Sequence, residues 1–373
     1  MIFNHDYASS QVEPLLSLTE AAFLISDTTD ISGAGYKVIH PDEFRRSIVD
    51  RTALDCEPVA DSEILILTSG TTGQPKCDLY LWSKLFAQAK KGNEDLNERW
   101  LLAYRLNHFA GIQMLVHALR NGSTLVLAKS QQVADAVNAL VAFQVTHVSS
   151  TPTFWRFAMA LLQENQNKLS LQHITLGSEA ASGDLLERLH GLFPDARIVH
   201  IYASTEAGSC ISVGDMKPGL PTSVLDRPEG ARSQFRIVDD ELQIKSINGM
   251  SGYLGPDGSC EPASNDHGWR ATGDLVRIED ERIVFVGRKN ETINVGGVKV
   301  HPVDVENRIT PLAGVKLARA CGQTNPIVGH IVAIDVVCHE GHYQNTIEQE
   351  IREGCEELVP AARPRSINFL ILS

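Results

Sequence analysis

The chain of 373 residues is short of several features that mark broad classes of protein. It lacks a positive excess. Its 33 lysines and arginines face 46 aspartates and glutamates, and the resulting net charge of −13 argues against general nucleic-acid binding and against an anionic membrane surface. A local basic pocket for an anionic cofactor is compatible with that balance. It also lacks any C-x-x-C pair: the seven cysteines, at positions 56, 77, 210, 260, 321, 338 and 355, are odd in number and scattered. Neither a zinc site nor a disulfide framework is expected, and a reducing cytoplasm is the expected compartment. No apolar run approaches the roughly 18 residues of a membrane span. The opening residues, Met1 to Asp6, have neither the basic nor the apolar region of a signal peptide. Internal repeats and low-complexity tracts are absent as well.

What is present is the composition of a soluble globular protein with a large core, 43% hydrophobic and 21% charged, long enough for two or three domains. The most informative stretch runs from residue 64 to 76. Ile64 to Leu67 is a branched apolar run that reads as a buried strand. It empties into Thr68, Ser69, Gly70, Thr71, Thr72 and Gly73, where small residues and hydroxyls can turn backbone N–H groups onto one anion. Lys76 adds a point charge suited to a phosphate oxygen. The string is not the G-x-x-x-x-G-K-[ST] pattern, because Pro75 stands where the second glycine belongs.

Further along, strands and helices alternate. Helical patterns cover Leu15 to Ile25, Asp42 to Ile48, Leu79 to Gln88, Gln131 to Phe143, Phe154 to Gln163 and Leu185 to Leu192. Strand patterns cover Trp100 to Tyr104, Gly122 to Leu127, Thr146 to Ser150, Ile174 to Leu176 and Arg197 to Tyr202. This alternation predicts an α/β fold with a parallel, helix-covered sheet and a ligand beyond the carboxyl ends of its strands. From about residue 218 to 289 the pattern becomes short strands and turns, a small β subdomain. Residues 290–373, with a helix predicted at Pro302 to Ile309 and another at Tyr343 to Leu358, read as a small α+β C-terminal domain. The large domain is thus expected to span 1–289.

Several polar clusters lie at strand ends. Tyr202-Ala203-Ser204-Thr205-Glu206 offers a hydroxyl for a phosphate oxygen and a carboxylate for Mg²⁺, which takes one or two carboxylates with substrate phosphates. Alone, such a pentapeptide is more often a plain loop. Asp274, in Trp269-Arg270-Ala271-Thr272-Gly273-Asp274, can accept two hydrogen bonds from a ribose diol, or be an ordinary turn aspartate. His108 precedes Phe109-Ala110-Gly111, and Arg288 follows Gly287.

Together these pieces resemble the acyl-adenylate-forming ligases, the family of acyl-CoA synthetases, peptide-synthetase adenylation domains and luciferases. Thr68 to Lys76 resembles the family's phosphate loop, Tyr202 to Glu206 its Tyr-Gly-x-Thr-Glu motif, and Trp269 to Asp274 its Trp-x-x-Thr-Gly-Asp motif. Gly287-Arg288 resembles the Gly-Arg before the hinge, and Asn290 to Glu306 the start of the small domain. The resemblance implies phosphate contacts from Thr68, Ser69, Gly70, Thr71, Thr72, Gly73 and Lys76. It implies Thr205 at the α-phosphate, Glu206 at Mg²⁺, Tyr202 in the nucleotide pocket, and Asp274 and Arg288 at the ribose or phosphates. His108 matches a gate between nucleotide and acyl pocket, Gly296-Gly297 a close approach to pantetheine, and Asn290 a hinge. The implied reaction activates a small carboxylic acid with ATP to acyl-AMP, then passes the acyl group to the thiol of CoA or of a carrier protein's phosphopantetheine.

The acyl pocket is expected around His108 to Gln113, Ser150 to Trp155 and Gly177 to Ala180, with Phe154 and Trp155 suggesting a moderately sized aryl or acyl group. Two departures stand out. The phosphate loop lies nearer the N-terminus than is usual, so part of the acyl-pocket wall, or a homodimer surface, is expected to be missing. No lysine follows Lys316, whereas the family ends in a Pro-x-x-x-x-Gly-Lys segment. Loss of such a charge is worth roughly 3–4 kcal/mol at a transition state. The first step would be crippled unless the sequence is a truncated form of a longer chain or a cation such as Lys299 or Arg365 substitutes. A silent nucleotide-binding partner or scaffold is the alternative reading.

Overall fold

The computed structural model describes residues 9–19, 23–26, 36–43, 61–68, 76–89, 97–162, 168–255, 257–262, 266–339 and 344–370. The chain divides into two compact units. One comprises residues 1–218, 228–234 and 245–270, the other residues 219–227, 235–244 and 271–373. Both sides of position 289 lie in the second.

The first unit is built on a six-stranded sheet in the order Gly208–Val213, Arg197–Ser204, His173–Leu176, His147–Ser150, Arg99–Leu102, Thr124–Val126. All its pairings are parallel except the one at Gly208–Val213. Parallel neighbours need crossovers, and four helices supply them: Phe109–Asn121, Val133–Ala142, Pro152–Leu162 and Gly183–Leu192. Their boundaries follow local chemistry. Gly122, at φ 64°, ends the first helix in the left-handed conformation and donates its N–H to Ala118 O. Ser182 Oγ caps the last by accepting from Leu185 N–H at 3.4 Å. Leu101, Leu140, Val148, Trp155, Ile174, Leu176 and Leu189 are buried between helices and sheet. Each large apolar side chain so covered contributes about 1.5–3 kcal/mol.

A second, antiparallel sheet orders Cys260–Pro262, Gly252–Leu254, Lys76–Leu81 and Glu63–Thr68. The buried strand expected at Ile64 to Leu67 is present, in this antiparallel hairpin. One expectation is corrected here. The helix expected from Leu79 begins only at Trp82, because Lys76–Leu81 pairs with Glu63–Thr68 along its whole length. Nearer the N-terminus, the helix expected over Leu15 to Ile25 is a helix at Ser9–Leu18 followed by a strand at Phe23–Ile25 that pairs parallel with Lys37–Ile39. Thr19 marks the break, its Oγ1 bonding back to Leu15 O at 2.8 Å. The helix expected at Asp42 to Ile48 lies largely outside the described residues.

In the second unit, Leu220–Pro221 pairs antiparallel with Arg282–Arg288, which pairs in turn with Arg270–Glu279. The tail has its own sheet of Val298–Val300, Ile293–Val295, Gly329–Cys338 and Val315–Asn325, with Ser366–Phe369 running parallel to Gly329–Cys338. Helices Pro302–Ile309 and Gln344–Gly354 close its core of Val305, Ile309, Val332, Ile334, Val336, Ile347 and Ile351. The C-terminal helix thus stops four residues before the Leu358 predicted from apolar spacing.

Candidate functional site

Side chains alternate across a strand, so register decides which residues of the antiparallel hairpin meet. Thr68 pairs with Lys76, Ile66 with Asp78 and Ile64 with Tyr80, while Tyr253 pairs with Asp78 from the other side. One face therefore carries Thr68, Lys76, Asp78, Tyr80 and Tyr253. Lys76 Nζ lies 4.9 Å from the centre of the Tyr253 ring, and Thr68 Oγ1 donates to Asp78 Oδ1 at 3.3 Å. Of the expected phosphate-loop residues, Ser69, Gly70, Thr71, Thr72 and Gly73 lie outside the described residues.

Asp78 is fully buried and its Oδ2 has no hydrogen-bond partner. Burial first, and then the Glu206 carboxylate, push its pKa up to about 7, against the opposing effects of Thr68, Lys76 and Arg270. Tyr80 is fully buried too, and desolvation holds its phenol well above the ordinary range. Burial, with the Glu206 and Asp78 charges, pushes Tyr253 up to about 12. Burial likewise lowers the Arg270 pKa.

The strand Arg197–Ser204 carries Tyr202 and runs into a turn at Thr205, Glu206 and Ala207 before the chain returns as Gly208–Val213. Gly208, at φ 74°, faces Gln88 and the Asn248 carbonyl, and an added Cβ would lie 2.6 Å from Gln88 Oε1. The turn is held by its backbone. The Tyr80 hydroxyl donates to Thr205 O, and Met250 N–H donates to Glu206 O at 3.1 Å. Arg270 Nη2 and Lys84 Nζ grip the adjoining carbonyls of Met250 and Gly249 at 2.9 and 3.1 Å. The Thr205 and Glu206 side chains are left to make other contacts, both of them partly exposed.

His108 occupies the N-cap position of helix Phe109–Asn121, with an exposed imidazole; partial desolvation and the Arg105 guanidinium hold its pKa below the usual value. Gly111 in the first turn is sterically required, since an added Cβ would sit 2.1 Å from Arg105 O. The other expected pocket segments are joined by Glu179, whose Oε2 accepts from Thr153 N–H at 3.0 Å and Thr153 Oγ1 at 2.7 Å. Tyr104, which sequence reasoning did not single out, bonds to Ser149 and Ser178. Trp155 is corrected. It is fully buried, edge-on to Phe193 in the helix–sheet core, and lines no acyl pocket. An aromatic at helical spacing on an apolar face packs inward.

The remaining expected residues belong to the second unit. Asp274 and Arg288 are direct cross-strand partners, joined at 2.7 Å between Asp274 Oδ1 and Arg288 Nε. Arg288 Nη1 also donates to Thr272 O at 3.2 Å, and the Thr272 hydroxyl donates to Leu242 O at 2.6 Å. Glu241, unnoticed in the sequence, accepts from Gly273 N–H at 2.8 Å and from Lys289 Nζ at 2.9 Å. Gly296 and Gly297 form the tight turn between Ile293–Val295 and Val298–Val300, at φ 57° and 90°. Asn294 Oδ1 accepts from Gly297 N–H at 2.9 Å. Among the described residues no group of three or more His, Cys, Asp or Glu could hold a metal by itself, so a cation at Glu206 would need ligands from a substrate, as Mg²⁺ with phosphates does.

Comparison with known proteins identifies the family. Residues 2–255 match the family model described as AMP-binding enzyme. A 2-succinylbenzoate–CoA ligase of Bacillus velezensis is 28% identical over 300 residues, 74% of this chain and 60% of that protein. The corresponding ligase of Bacillus subtilis is 26% identical over 82% of this chain and 65% of its own length. The chain thus spans about three-fifths to two-thirds of the length of these curated relatives. In fold it resembles ATP-bound MatB from Rhodopseudomonas palustris, with a TM-score of 0.81, 20% identity and coverage of 99% of this chain and 79% of that one. It also resembles the anthranilate CoA ligase AuaEII in complex with anthranoyl-AMP, at a TM-score of 0.82, 17% identity and coverage of 99% and 78%. The α/β fold, the motifs and the match over residues 2–255 agree, and the chain belongs to the AMP-binding enzyme family.

Proposed function

We propose that the protein is an AMP-forming acid–thiol ligase. The carboxylate of a small acid attacks the α-phosphorus of ATP, giving acyl-AMP and pyrophosphate, and a thiol then displaces AMP to form a thioester. The observation that carries this reading is the Thr205–Glu206 turn. Its carbonyls are fixed by Tyr80 and Met250 while Thr205 and Glu206 stay partly exposed, and the Glu206 charge acts on Asp78, which shares a strand face with Lys76 and Thr68. Positioning and fixed charge are what adenylation asks of a protein. In this reading Thr68, Lys76 and the loop 69–73 hold the phosphates, Thr205 the α-phosphate, and Tyr202 lines the nucleotide pocket.

Glu206 would hold Mg²⁺, and the unpartnered buried oxygen of Asp78 beside it fits a neighbourhood that has room for more positive charge. The ion's contribution when bound is to neutralise phosphate charge. Asp274 and Arg288 serve the ribose and phosphates, His108 the gate, and Gly296-Gly297 the pantetheine approach. Residues 290–373 act as the small C-terminal domain, supported by their own core. CoA is favoured over a carrier protein as acceptor because the relatives described above are CoA ligases. No helix among the described residues is long and apolar enough to cross a membrane.

The test is acid-dependent ATP–pyrophosphate exchange over a panel that includes 2-succinylbenzoate, anthranilate, fatty acids and amino acids. Exchange with at least one acid is expected, and Glu206→Gln should lower it by about 100-fold or more. Absence of exchange with every acid, while AMP still binds, would overturn the ligase reading in favour of a silent nucleotide-binding homologue.

A further inference from the structure

Three segments of the proposed site come from distant parts of the sequence, and one side chain touches all three. Tyr80 stands on the strand Lys76–Leu81, on the same face as Lys76 and Asp78. Its hydroxyl donates to the Thr205 carbonyl, 125 positions away. Its ring lies 5.5 Å from that of Phe109, the residue next to His108 at the start of its helix. The ring is wholly buried, in a cluster with Ile64, Ile66, Leu85, Ile112 and Met250.

A turn carbonyl on a partly exposed hairpin can be satisfied by water. A buried phenol is an unusual choice for that purpose, because an aromatic ring takes up core volume and its hydroxyl must find a partner. Here the partner is the turn that carries both proposed phosphate and metal ligands. On its other flank the same turn is tied to Met250 N–H, with the Met250 and Gly249 carbonyls held by Arg270 and Lys84. Gly249 is needed for that closeness: an added Cβ would lie 2.6 Å from Glu206 O and 2.7 Å from Arg270 Nη1.

We propose that Tyr80 is a positioning residue of the adenylating site, fixing the Thr205–Glu206 turn relative to Lys76 and to the helix that begins at His108. The inference rests on the ligase reading above. Tyr80 itself touches no reacting atom. It sets where the Thr205 hydroxyl and Glu206 carboxylate stand, so its loss should be felt through them. Misplacing such groups by about 1 Å can cost about 100-fold in rate.

Tyr80→Phe keeps the ring and its packing and removes only the hydroxyl. We expect this variant to fold with a nearly unchanged urea midpoint and to bind AMP about 10-fold more weakly by calorimetry. The Mg²⁺ concentration for half-maximal ATP binding should rise several-fold, and in exchange kinetics kcat should fall while KM for ATP rises. AMP affinity and Mg²⁺ dependence that superimpose on the native ones, whatever the midpoint does, would overturn the proposal and leave Tyr80 a core residue. If the variant fails to fold, hydrogen exchange on the native chain decides the matter. AMP should protect the turn at residues 205–207 together with residues 77–81 and 109–112, and protection of the turn alone would overturn it. A native chain that binds no nucleotide would overturn both this inference and the ligase reading. Native binding with an unaltered Tyr80→Phe would overturn only this one.

Discussion

The first unit holds two clusters of buried titratable groups, and they are finished differently. At the amino-terminal edge of the parallel sheet, His117, His147 and His173 surround Trp100, with ring centres 4.8, 4.7 and 5.9 Å from the indole. Glu98 accepts from Trp100 Nε1 at 3.0 Å and from Ser123 Oγ at 3.1 Å, and two imidazole Nε2 atoms stand 3.9 and 3.8 Å from it. Thr146 Oγ1 lies 2.7 Å from His147 Nδ1. His117 Nε2 is the atom of this cluster left buried without a hydrogen-bond partner among the described residues, whereas around Tyr80 both Asp78 Oδ2 and Arg270 Nη1 are. A buried polar atom left unpaired costs about 1–3 kcal/mol, and more when charged. The edge cluster is a structural joint with most of its bonds made. The Tyr80 cluster keeps open valences beside a turn whose Thr205 and Glu206 residues stay partly exposed, as expected where a ligand completes the bonding.

The largest effect that separates the two is truncation of the joint. Trp100→Ala should remove about 3–5 kcal/mol of stability, as loss of a buried aromatic does, read as a fall in the urea midpoint. Nucleotide affinity of the folded fraction should stay at the native value. A loss of AMP affinity without loss of stability would abolish the distinction between the clusters.

A pH titration sharpens the contrast, because the two clusters tilt stability in opposite directions. His173 is pushed down to about 4 by burial and by its cationic neighbours, below its unfolded value of 6.5. Its neutral form is the native one, so its contribution is present above pH 6.5 and is lost as pH falls towards 4. Asp78 is raised to about 7 from 3.8. Its contribution is complete below pH 3.8 and is lost as pH rises through 7. Asp78→Asn should therefore stabilise the chain by about 2–4 kcal/mol at pH 8, with the gain shrinking towards nothing at pH 4. His173→Phe should recover about 2–3 kcal/mol at pH 4 and change little at pH 8. Denaturant unfolding at the two pH values reads both, and parallel shifts would sink the assignment.

This contrast also separates what could be read in the sequence from what could not. Thr205-Glu206 and Gly296-Gly297 were legible because their chemistry is local: a strand end, a turn, a pair of glycines at positive φ. Asp274 and Arg288 were legible one by one. That they are partners depends on the hairpin register, which places them opposite each other. Tyr80 and Asp78 were missed because Leu79 to Gln88 looked helical, so their strand was never seen. A signal was there: Lys76, Asp78 and Tyr80 alternate with Cys77, Leu79 and Leu81, the period-two pattern of a strand with a polar face. Arg270 had no such signal, because only the folding of residues 249–250 beside Glu206 gives it a role. Trp155 was misjudged for the opposite reason. Its helix position fixed its face, but only the packed core shows that the face turns to Phe193.

The smallest expected effect tests whether the open cluster also orders Lys76. The ammonium lies over the Tyr253 ring, and Tyr253 is only partly buried, so the contact is worth about 0.5–1 kcal/mol. Tyr253→Leu keeps apolar bulk on the strand Gly252–Leu254 and removes the ring's negative face. Global stability should fall by no more than about 1 kcal/mol, within the range of a partly exposed substitution. Binding should respond differently in its two parts. Pyrophosphate and ATP, which reach towards Lys76 in the proposed site, should bind about 2- to 5-fold more weakly, the factor that an energy of this size sets. AMP, which lacks the outer phosphates, should bind as before. Equal weakening of AMP and ATP would mean that Tyr253 supports the turn rather than the lysine, and the Lys76 side of the cluster would then belong with the structural joint at Trp100.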